Sequence, residues 1–100
     1  MPKQVKTVEE YEAEIKEGKV LVDLFATWCG PCRMLAPVID DLEKGHPEVK
    51  FLKVDVDELP QVAARYDVVS IPTVLVLNNG ELIHKNIGFA PKPNLEKLIA

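Results

Sequence analysis

The chain has 100 residues, of which 47% are hydrophobic, and a formal net charge of −4. This length is enough for a single core, so we expect residues 1–100 to form one domain. The negative charge argues against a general nucleic-acid binder, and no apolar run reaches the length of a membrane span. The N-terminus has no apolar core of the kind found in signal peptides, so we expect a cytoplasmic protein; the alternative is a mature organellar protein whose presequence has been removed.

The first half of the chain predicts a helix, a strand and a second helix. Thr7 followed by Glu10 is typical of a capping box at the start of a helix. Val20–Phe25 is apolar except for Asp23, as in a central strand that is covered on both faces. The second helix follows the two cysteines, and its apolar residues recur on one face: Leu35, Val38, Ile39 and Leu42.

The second half predicts two more strands, a hairpin and two helices. Val49–Asp55 is a strand, and Asp57 is placed to cap the helix that follows it. Thr73–Leu77 is a second buried strand, and Asn79-Gly80 suits a type I′ turn that leads into an antiparallel partner. A terminal helix is expected from Asn94 onward. This order of elements indicates an α/β class with a mixed sheet and helices on both faces.

The only two cysteines, Cys29 and Cys32, stand where the first buried strand gives way to a helix. Two thiols at this spacing can close into a disulfide across one helical turn, and such a small ring is more typical of a redox site than of a structural staple. The free N–H groups and the dipole of the helix start stabilise a thiolate on the first sulfur. We expect Cys29 to be the exposed, reactive thiol and Cys32 to be the buried one.

A structural zinc site is the alternative interpretation of the cysteine pair. Its spacing fits half of a four-ligand site, and His46 lies at a suitable distance along the chain. His84 is far from it, in the predicted hairpin, and there is no further cysteine. We therefore favour the redox interpretation and expect neither a metal nor any other cofactor.

Two residues near the cysteines have both a functional and an ordinary interpretation. If Asp23 is buried in its strand, desolvation raises its pKa and allows it to exchange a proton with a nearby thiol. The alternative is a surface position on an edge strand. Trp28 is either a partly exposed platform beside the sulfurs or an ordinary core aromatic.

The sequence Trp-Cys-Gly-Pro-Cys at residues 28–32 resembles the active-site motif of the thioredoxin family. The resemblance also includes Asp23, Lys53, the run Ser70–Thr73 and Gly88, and it covers essentially the whole chain. It implies the thioredoxin fold, an α/β fold with a central mixed sheet of four to five strands and helices on both faces.

The resemblance implies a role for each matching residue. Cys29 attacks a substrate disulfide, and Cys32 then resolves the mixed disulfide with help from Asp23, near which Lys53 is expected to lie. An outward, solvated position is the alternative for Lys53. The residues expected to bind the substrate are Trp28, Gly30, Pro31, Ser70, Ile71, Pro72, Gly88 and Phe89.

Further expectations concern the loops around the cysteines. The resemblance implies that the peptide bond between Ile71 and Pro72 is cis and that the backbone of Ile71 binds an extended substrate peptide. Phe25 stands where many members have tryptophan, and Phe89 stands where many have alanine. We expect Phe89 on the surface; the alternative is that it packs against Leu95 under the terminal helix.

The function implied is that of a general protein-disulfide reductase that maintains cell redox homeostasis. The family implies recycling by an NADPH-dependent thioredoxin reductase and clients such as ribonucleotide reductase, peroxiredoxin and methionine sulfoxide reductase. We expect a monomer that binds neither nucleic acid nor membranes. Two alternatives are an oxidase or isomerase, against which Gly30-Pro31 argues because it matches reductases, and a binding subunit without turnover, against which the intact cysteine pair argues.

Overall fold

Strands and helices alternate along the chain, as the sequence predicts. The computed structural model describes residues 1–100. Its elements are β1 (Lys3–Gln4), α1 (Val8–Glu14), β2 (Lys19–Phe25), α2 (Gly30–Gly45), β3 (Lys50–Asp55), α3 (Pro60–Arg65), β4 (Thr73–Asn78), β5 (Glu81–Ile87) and α4 (Lys92–Ile99). None of these helices combines the length and the apolar character needed to cross a membrane.

The five strands form one mixed sheet in the order β1-β3-β2-β4-β5. The central strand β2 pairs in parallel with β3 and antiparallel with β4. This arrangement confirms the predicted mixed sheet and the central position of Val20–Phe25. A central strand has no solvated edge, so its side chains are covered by whatever packs on the two faces of the sheet.

Two apolar clusters, one on each face of the sheet, hold the helices in place. Val20, Val22 and Leu24 point into the cluster that contains residues of α1 and α3. Leu21 points into the other cluster, which contains residues of α2 and α4. Because side chains alternate along a strand, Asp23 lies on the same face as Leu21, beneath α2. The fold thus carries an acid into the layer between the sheet and α2.

The start of α1 largely follows the sequence prediction. The Thr7 hydroxyl oxygen accepts a hydrogen bond from the backbone N–H of Glu10 at 3.0 Å. The Glu10 carboxylate reaches back to the backbone N–H of Lys6, at 2.8 Å, instead of to that of Thr7. Thr7 is therefore the N-cap, and one orphan N–H of the helix is satisfied by its side chain.

The prediction that Asp57 caps the third helix is wrong. The helix begins at Pro60, and its N-cap Leu59 makes no side-chain hydrogen bond. Proline suits the first position of a helix, because its fixed φ is helical and its missing N–H is not needed there. The carboxylate of Asp57 instead accepts a hydrogen bond from the indole N–H of Trp28.

The predicted hairpin is confirmed. Asn79 and Gly80 have φ angles of 52° and 85°, both in the left-handed region that a type I′ turn requires. The side chain of Asn79 accepts a hydrogen bond from the backbone N–H of Gly18 at 2.8 Å, which ties the turn to the loop before β2. The hairpin makes β5 the edge strand and carries the chain back toward the cysteine end of the sheet.

Candidate active site

Cys29 is the N-cap residue of α2 and connects the end of β2 to that helix. Its sulfur accepts a hydrogen bond from the backbone N–H of Cys32 at 3.2 Å. Pro31 occupies one of the first two helical positions, where proline is favoured. A negative charge on the Cys29 sulfur would therefore face the N–H donors and the positive end of the helix dipole, which stabilise a thiolate.

The two sulfurs are bonded to each other, as the spacing predicts. The expectation that Cys32 is buried is confirmed, whereas the expectation that Cys29 is exposed is wrong for this disulfide form, because each residue is only 4% exposed. Both pack in a small apolar cluster with Ala26, against which Ile71 also lies. The cysteines differ in their neighbours instead: Cys29 caps the helix, whereas Cys32 lines a cavity that also contains Asp23.

The zinc interpretation finds no support in the positions of the histidines. His46 is the residue that follows α2, and Cys32 lies near the start of this helix, so its 16 residues separate His46 from Cys29. At 1.5 Å per residue that is roughly 24 Å. Its ring nitrogens lie 3.3 Å from the carboxylates of Glu48 and Glu96, and His84 lies on the edge strand β5.

The cavity beside Cys32 has a volume of about 250 Å³ and opens to solvent. We call it the Asp23 cavity. Its charged lining residues are Asp23, Arg33 and Lys53, and Phe25 forms part of its apolar wall. Asp23 and Cys32 thus line one common space, which a proton could cross directly or by way of water.

Asp23 is only 5% exposed, and its Oδ1 has no hydrogen-bond partner. Desolvation of the carboxylate raises the pKa of Asp23 to about 7, against a smaller lowering by the positive charge of Lys53, while Asp40 adds a weaker raising effect. The edge-strand alternative is wrong because β2 lies at the centre of the sheet. A carboxyl that titrates near neutral pH is suited to both accepting and donating a proton.

Lys53 lies beside Asp23 on the neighbouring strand. The two residues are partners in the parallel pairing of β2 and β3, so their side chains point to the same face of the sheet. Lys53 is half-buried, and its ammonium lies 5.6 Å from the centre of the Phe25 ring. The outward, fully solvated alternative for Lys53 is therefore wrong.

Trp28 is 66% exposed, so the core interpretation of this residue is wrong. Its indole N–H donates a hydrogen bond to Oδ2 of Asp57 at 2.8 Å. That bond joins the loop before α2 to the loop after β3 and holds the ring beside Cys29. An exposed aromatic held in a fixed orientation offers a contact surface at a small entropic cost.

The loop between α3 and β4 reaches the disulfide from another side. The bond between Ile71 and Pro72 is cis, as expected. Ile71 packs against the cysteine cluster, and the Pro72 carbonyl accepts a hydrogen bond from the N–H of Gly88 at 2.8 Å. Gly88 has a φ of 90°, a backbone conformation that side chains disfavour. This contact brings the end of β5 next to the proline loop.

The remaining predicted substrate contacts lie at the surface. Gly30, Pro31 and Ser70 are exposed, and the carbonyl of Ser70 accepts a hydrogen bond from the Thr73 hydroxyl at 2.6 Å. Phe89 is 47% exposed, whereas the neighbouring Ala90 is buried in the cluster beneath α4. The surface interpretation of Phe89 is confirmed.

Sequence reasoning missed one apolar residue of this surface, Ile87. Ile87 is 64% exposed and pairs with Thr73, directly after Pro72. The signal that could have found it was its place at the end of an edge strand, just before Gly88. We use the name docking surface for the following group around the disulfide: Trp28, Ile71, Pro72, Ile87, Gly88 and Phe89. Trp28, Ile87 and Phe89 are exposed, Ile71 and Gly88 are half-buried, and Pro72 is buried. An apolar group with exposed side chains of this kind usually marks an interaction site.

Comparison with known proteins gives a consistent result. The thioredoxin family model matches residues 2–100. Thioredoxin of Bacillus subtilis is 46% identical over 94 residues, which cover 93% of this chain and 90% of that protein. Thioredoxin of Staphylococcus aureus is 44% identical over the same shares of the two chains.

Solved structures agree with these sequence comparisons. The oxidized form of mitochondrial thioredoxin 3 from Saccharomyces cerevisiae is 39% identical, with a TM-score of 0.90 over 98% of this chain and 92% of that chain. Plasmodium falciparum thioredoxin is 37% identical, with a TM-score of 0.90 over 97% of this chain and 95% of that chain.

The burial of Asp23 predicts how stability depends on pH. The pKa of Asp23 in the folded state, about 7, lies above its ordinary value of 3.8, so the folded state keeps a proton that the unfolded state loses between these pH values, and stability falls as the pH rises through this range. Asp23→Asn removes the cost of the buried charge. Its gain in unfolding free energy should therefore grow by about 3–4 kcal/mol between pH 4 and pH 8, measured by urea unfolding.

A matched control is Glu17→Gln, which neutralises an exposed acid in the loop before β2. Its effect on the unfolding free energy should be small and nearly the same at both pH values. An Asp23→Asn gain that does not change with pH would contradict the assignment of a raised pKa to Asp23.

Proposed function

The chain belongs to the thioredoxin family and is a protein-disulfide reductase that works by dithiol–disulfide exchange, and from this premise we propose a role for each residue of its site. The observation that carries the assignment is the asymmetry between the sulfurs. The Cys29 sulfur caps α2 and accepts an N–H hydrogen bond, whereas Cys32 shares a cavity with Asp23. One sulfur is thus prepared to attack, and the other is placed to lose a proton.

In the first step, the thiolate of Cys29 attacks one sulfur of a substrate disulfide. A bond forms between Cys29 and that sulfur, the substrate disulfide breaks, and the other substrate sulfur leaves as a thiolate that takes up a proton from water. The N–H groups at the start of α2 hold the attacking sulfur in its charged form. The product is a mixed disulfide on Cys29.

In the second step, the carboxylate of Asp23 accepts the thiol proton of Cys32 across the Asp23 cavity. The resulting thiolate attacks Cys29, the mixed disulfide breaks, and the second substrate sulfur leaves. The substrate has gained two electrons, and the chain now carries the Cys29–Cys32 disulfide. A pKa of about 7 suits Asp23 to this task, because both of its protonation states are then populated at neutral pH.

We propose that the docking surface holds the substrate during both steps. Its apolar side chains would accept many sequences, while the backbone of Ile71 would bind an extended peptide by strand addition. Gly30 and Pro31, between the cysteines, and Ser70, next to Ile71, are exposed and would contact the same segment. The positive charge of Lys53, on the neighbouring strand, would stabilise the ionised carboxylate of Asp23.

The partners of the chain are disulfide-containing client proteins and an NADPH-dependent thioredoxin reductase that recycles it. We propose ribonucleotide reductase, peroxiredoxin and methionine sulfoxide reductase types as clients. Support for a peroxiredoxin comes from a similar structure, 38% identical, whose study concerns thiol resolution in a yeast mitochondrial 1-Cys peroxiredoxin via glutathione and thioredoxin systems. We also propose that residues 1–100 act as one monomeric domain in the cytoplasm, without binding nucleic acid or membranes.

The roles of the two sulfurs are tested by trapping. Cys32→Ser should accumulate mixed disulfides with oxidised client proteins, because the second step needs the Cys32 sulfur. Cys29→Ser is the matched control and should trap nothing, because the attacking sulfur is missing. Both variants should lose at least about a thousandfold in insulin reduction, as variants without an essential group do. Trapping by Cys29→Ser instead of Cys32→Ser would reverse the roles.

The docking surface is tested by Phe89→Ala. Because the ring is half exposed, its loss should cost about 1 kcal/mol of stability or less. Turnover of a protein disulfide such as that of insulin should fall several-fold, whereas turnover of a small aromatic disulfide should change little.

The control is Phe51→Ala, which removes a ring that is only 3% exposed. It should cost about 3–5 kcal/mol and affect both substrates alike through loss of folded protein. If Phe89→Ala behaves in the same way as Phe51→Ala, Phe89 has a structural role and is not part of the docking surface.

A further inference from the structure

Phe25, Asp23 and Lys53 lie on one face of the sheet. Phe25 follows Asp23 by two residues on β2, so both side chains point toward α2. Lys53 is the register partner of Asp23 on β3, and Asp55 is the partner of Phe25. Lys53 is therefore the direct neighbour of Asp23 and the diagonal neighbour of Phe25.

The ammonium of Lys53 lies 5.6 Å from the centre of the Phe25 ring. At this distance a cation is attracted by the electrons of an aromatic face, and the attraction increases with partial desolvation. Phe25 and Lys53 are both half-buried, and both line the Asp23 cavity. A lysine side chain has four flexible carbons and extends into water when nothing holds its end. The ring is the feature that holds this one.

We propose that Phe25 is a positioning residue whose ring holds the Lys53 ammonium at the Asp23 cavity and thereby sets the pH at which Asp23 exchanges its proton. This inference goes beyond the roles proposed above for the docking surface, but its catalytic consequence rests on the proposed role of Asp23. Phe25 does not touch the reacting sulfur atoms in this account; it acts through Lys53.

The other charged groups around Asp23 are on α2 and at the N-terminus. Asp40 lines a smaller cavity of about 30 Å³ together with Asp23, Lys53 and Met1, and its charge opposes that of Lys53. The Met1 ammonium is engaged in an ion pair with Glu43 at 3.1 Å.

Arg33 and Cys32, also on α2, line the Asp23 cavity. Arg33 is exposed, and it is not among the groups that shift the pKa of Asp23. Lys53 is the one cation that lowers that pKa. The position of the Lys53 ammonium therefore decides by how much the pKa of Asp23 is lowered, and moving the ammonium into solvent would raise that pKa.

The test is a carboxyl ¹³C NMR titration of Asp23 in the oxidised, full-length protein. Phe25→Leu should move the titration midpoint upward by about half a pH unit, because the ammonium is no longer held near the carboxylate. Phe25→Trp, which keeps an aromatic face, should leave the midpoint nearly unchanged.

Loss of the Phe25 ring also lets water into the cavity, which would lower the midpoint of the Asp23 titration. Phe25→Leu is therefore also made and titrated in a Lys53→Met background. There the upward shift should vanish or reverse, because no ammonium remains to be displaced. The difference between the two backgrounds measures the coupling of Phe25 to Lys53. Equal shifts in both backgrounds would overturn the proposal.

A second measurement needs no variant, in case Phe25→Leu does not fold. The ε-protons of Lys53 should resonate upfield in the parent protein, because they lie over the ring, and ordinary shifts there would overturn the proposal. The titration also distinguishes a failure of this proposal from a failure of the proposed proton-transfer role of Asp23. If the midpoints move as expected but resolution by Cys32 does not follow them, the proton-transfer role of Asp23 fails and the positioning role of Phe25 stands.

Discussion

The burial of one carboxyl group is the constraint on which the site depends. Asp23 lies on the central strand, under α2, and one of its oxygens has no hydrogen-bond partner. An uncompensated polar group in this position costs stability, so the fold is less stable with this carboxyl than it would be without it. The same burial raises the pKa of Asp23 to about 7, so the carboxyl titrates near neutral pH. Proton exchange with Cys32 requires this property.

The same strand also positions the sulfurs. β2 ends at Phe25, and four residues later Cys29 caps α2, so a short connection keeps the helix start close to the strand that carries the acid. The docking surface is assembled differently, from loops that meet at the disulfide through the contact between Pro72 and Gly88. Chemistry thus depends on the sheet and α2, whereas recognition depends on loops, which can vary without disturbing the proton path.

Much of this could be predicted from local sequence patterns. The apolar run around Asp23, the capping residue Thr7 and the Asn79-Gly80 turn each act over a few residues, and the structure confirms them. The errors concern contacts between distant parts of the chain. Asp57 is engaged by Trp28, 29 residues away, and the burial of Cys29 depends on Ile71 from another loop. No local pattern contains such contacts, since they exist only after the sheet has brought the loops together.

The central claim is that Asp23 removes the proton of Cys32, and the pH dependence of the resolution step tests it most directly. The measurement is stopped-flow release of a chromophoric thiol from a mixed disulfide on Cys29, between pH 5 and pH 9, in the parent protein and in Asp23→Asn. We expect the parent rate to rise with a midpoint near the pKa of Asp23, about 7. In Asp23→Asn, this rise should be absent and the rate at neutral pH should fall by about 10²-fold, as on loss of a general base. Identical profiles for the two proteins would contradict the account.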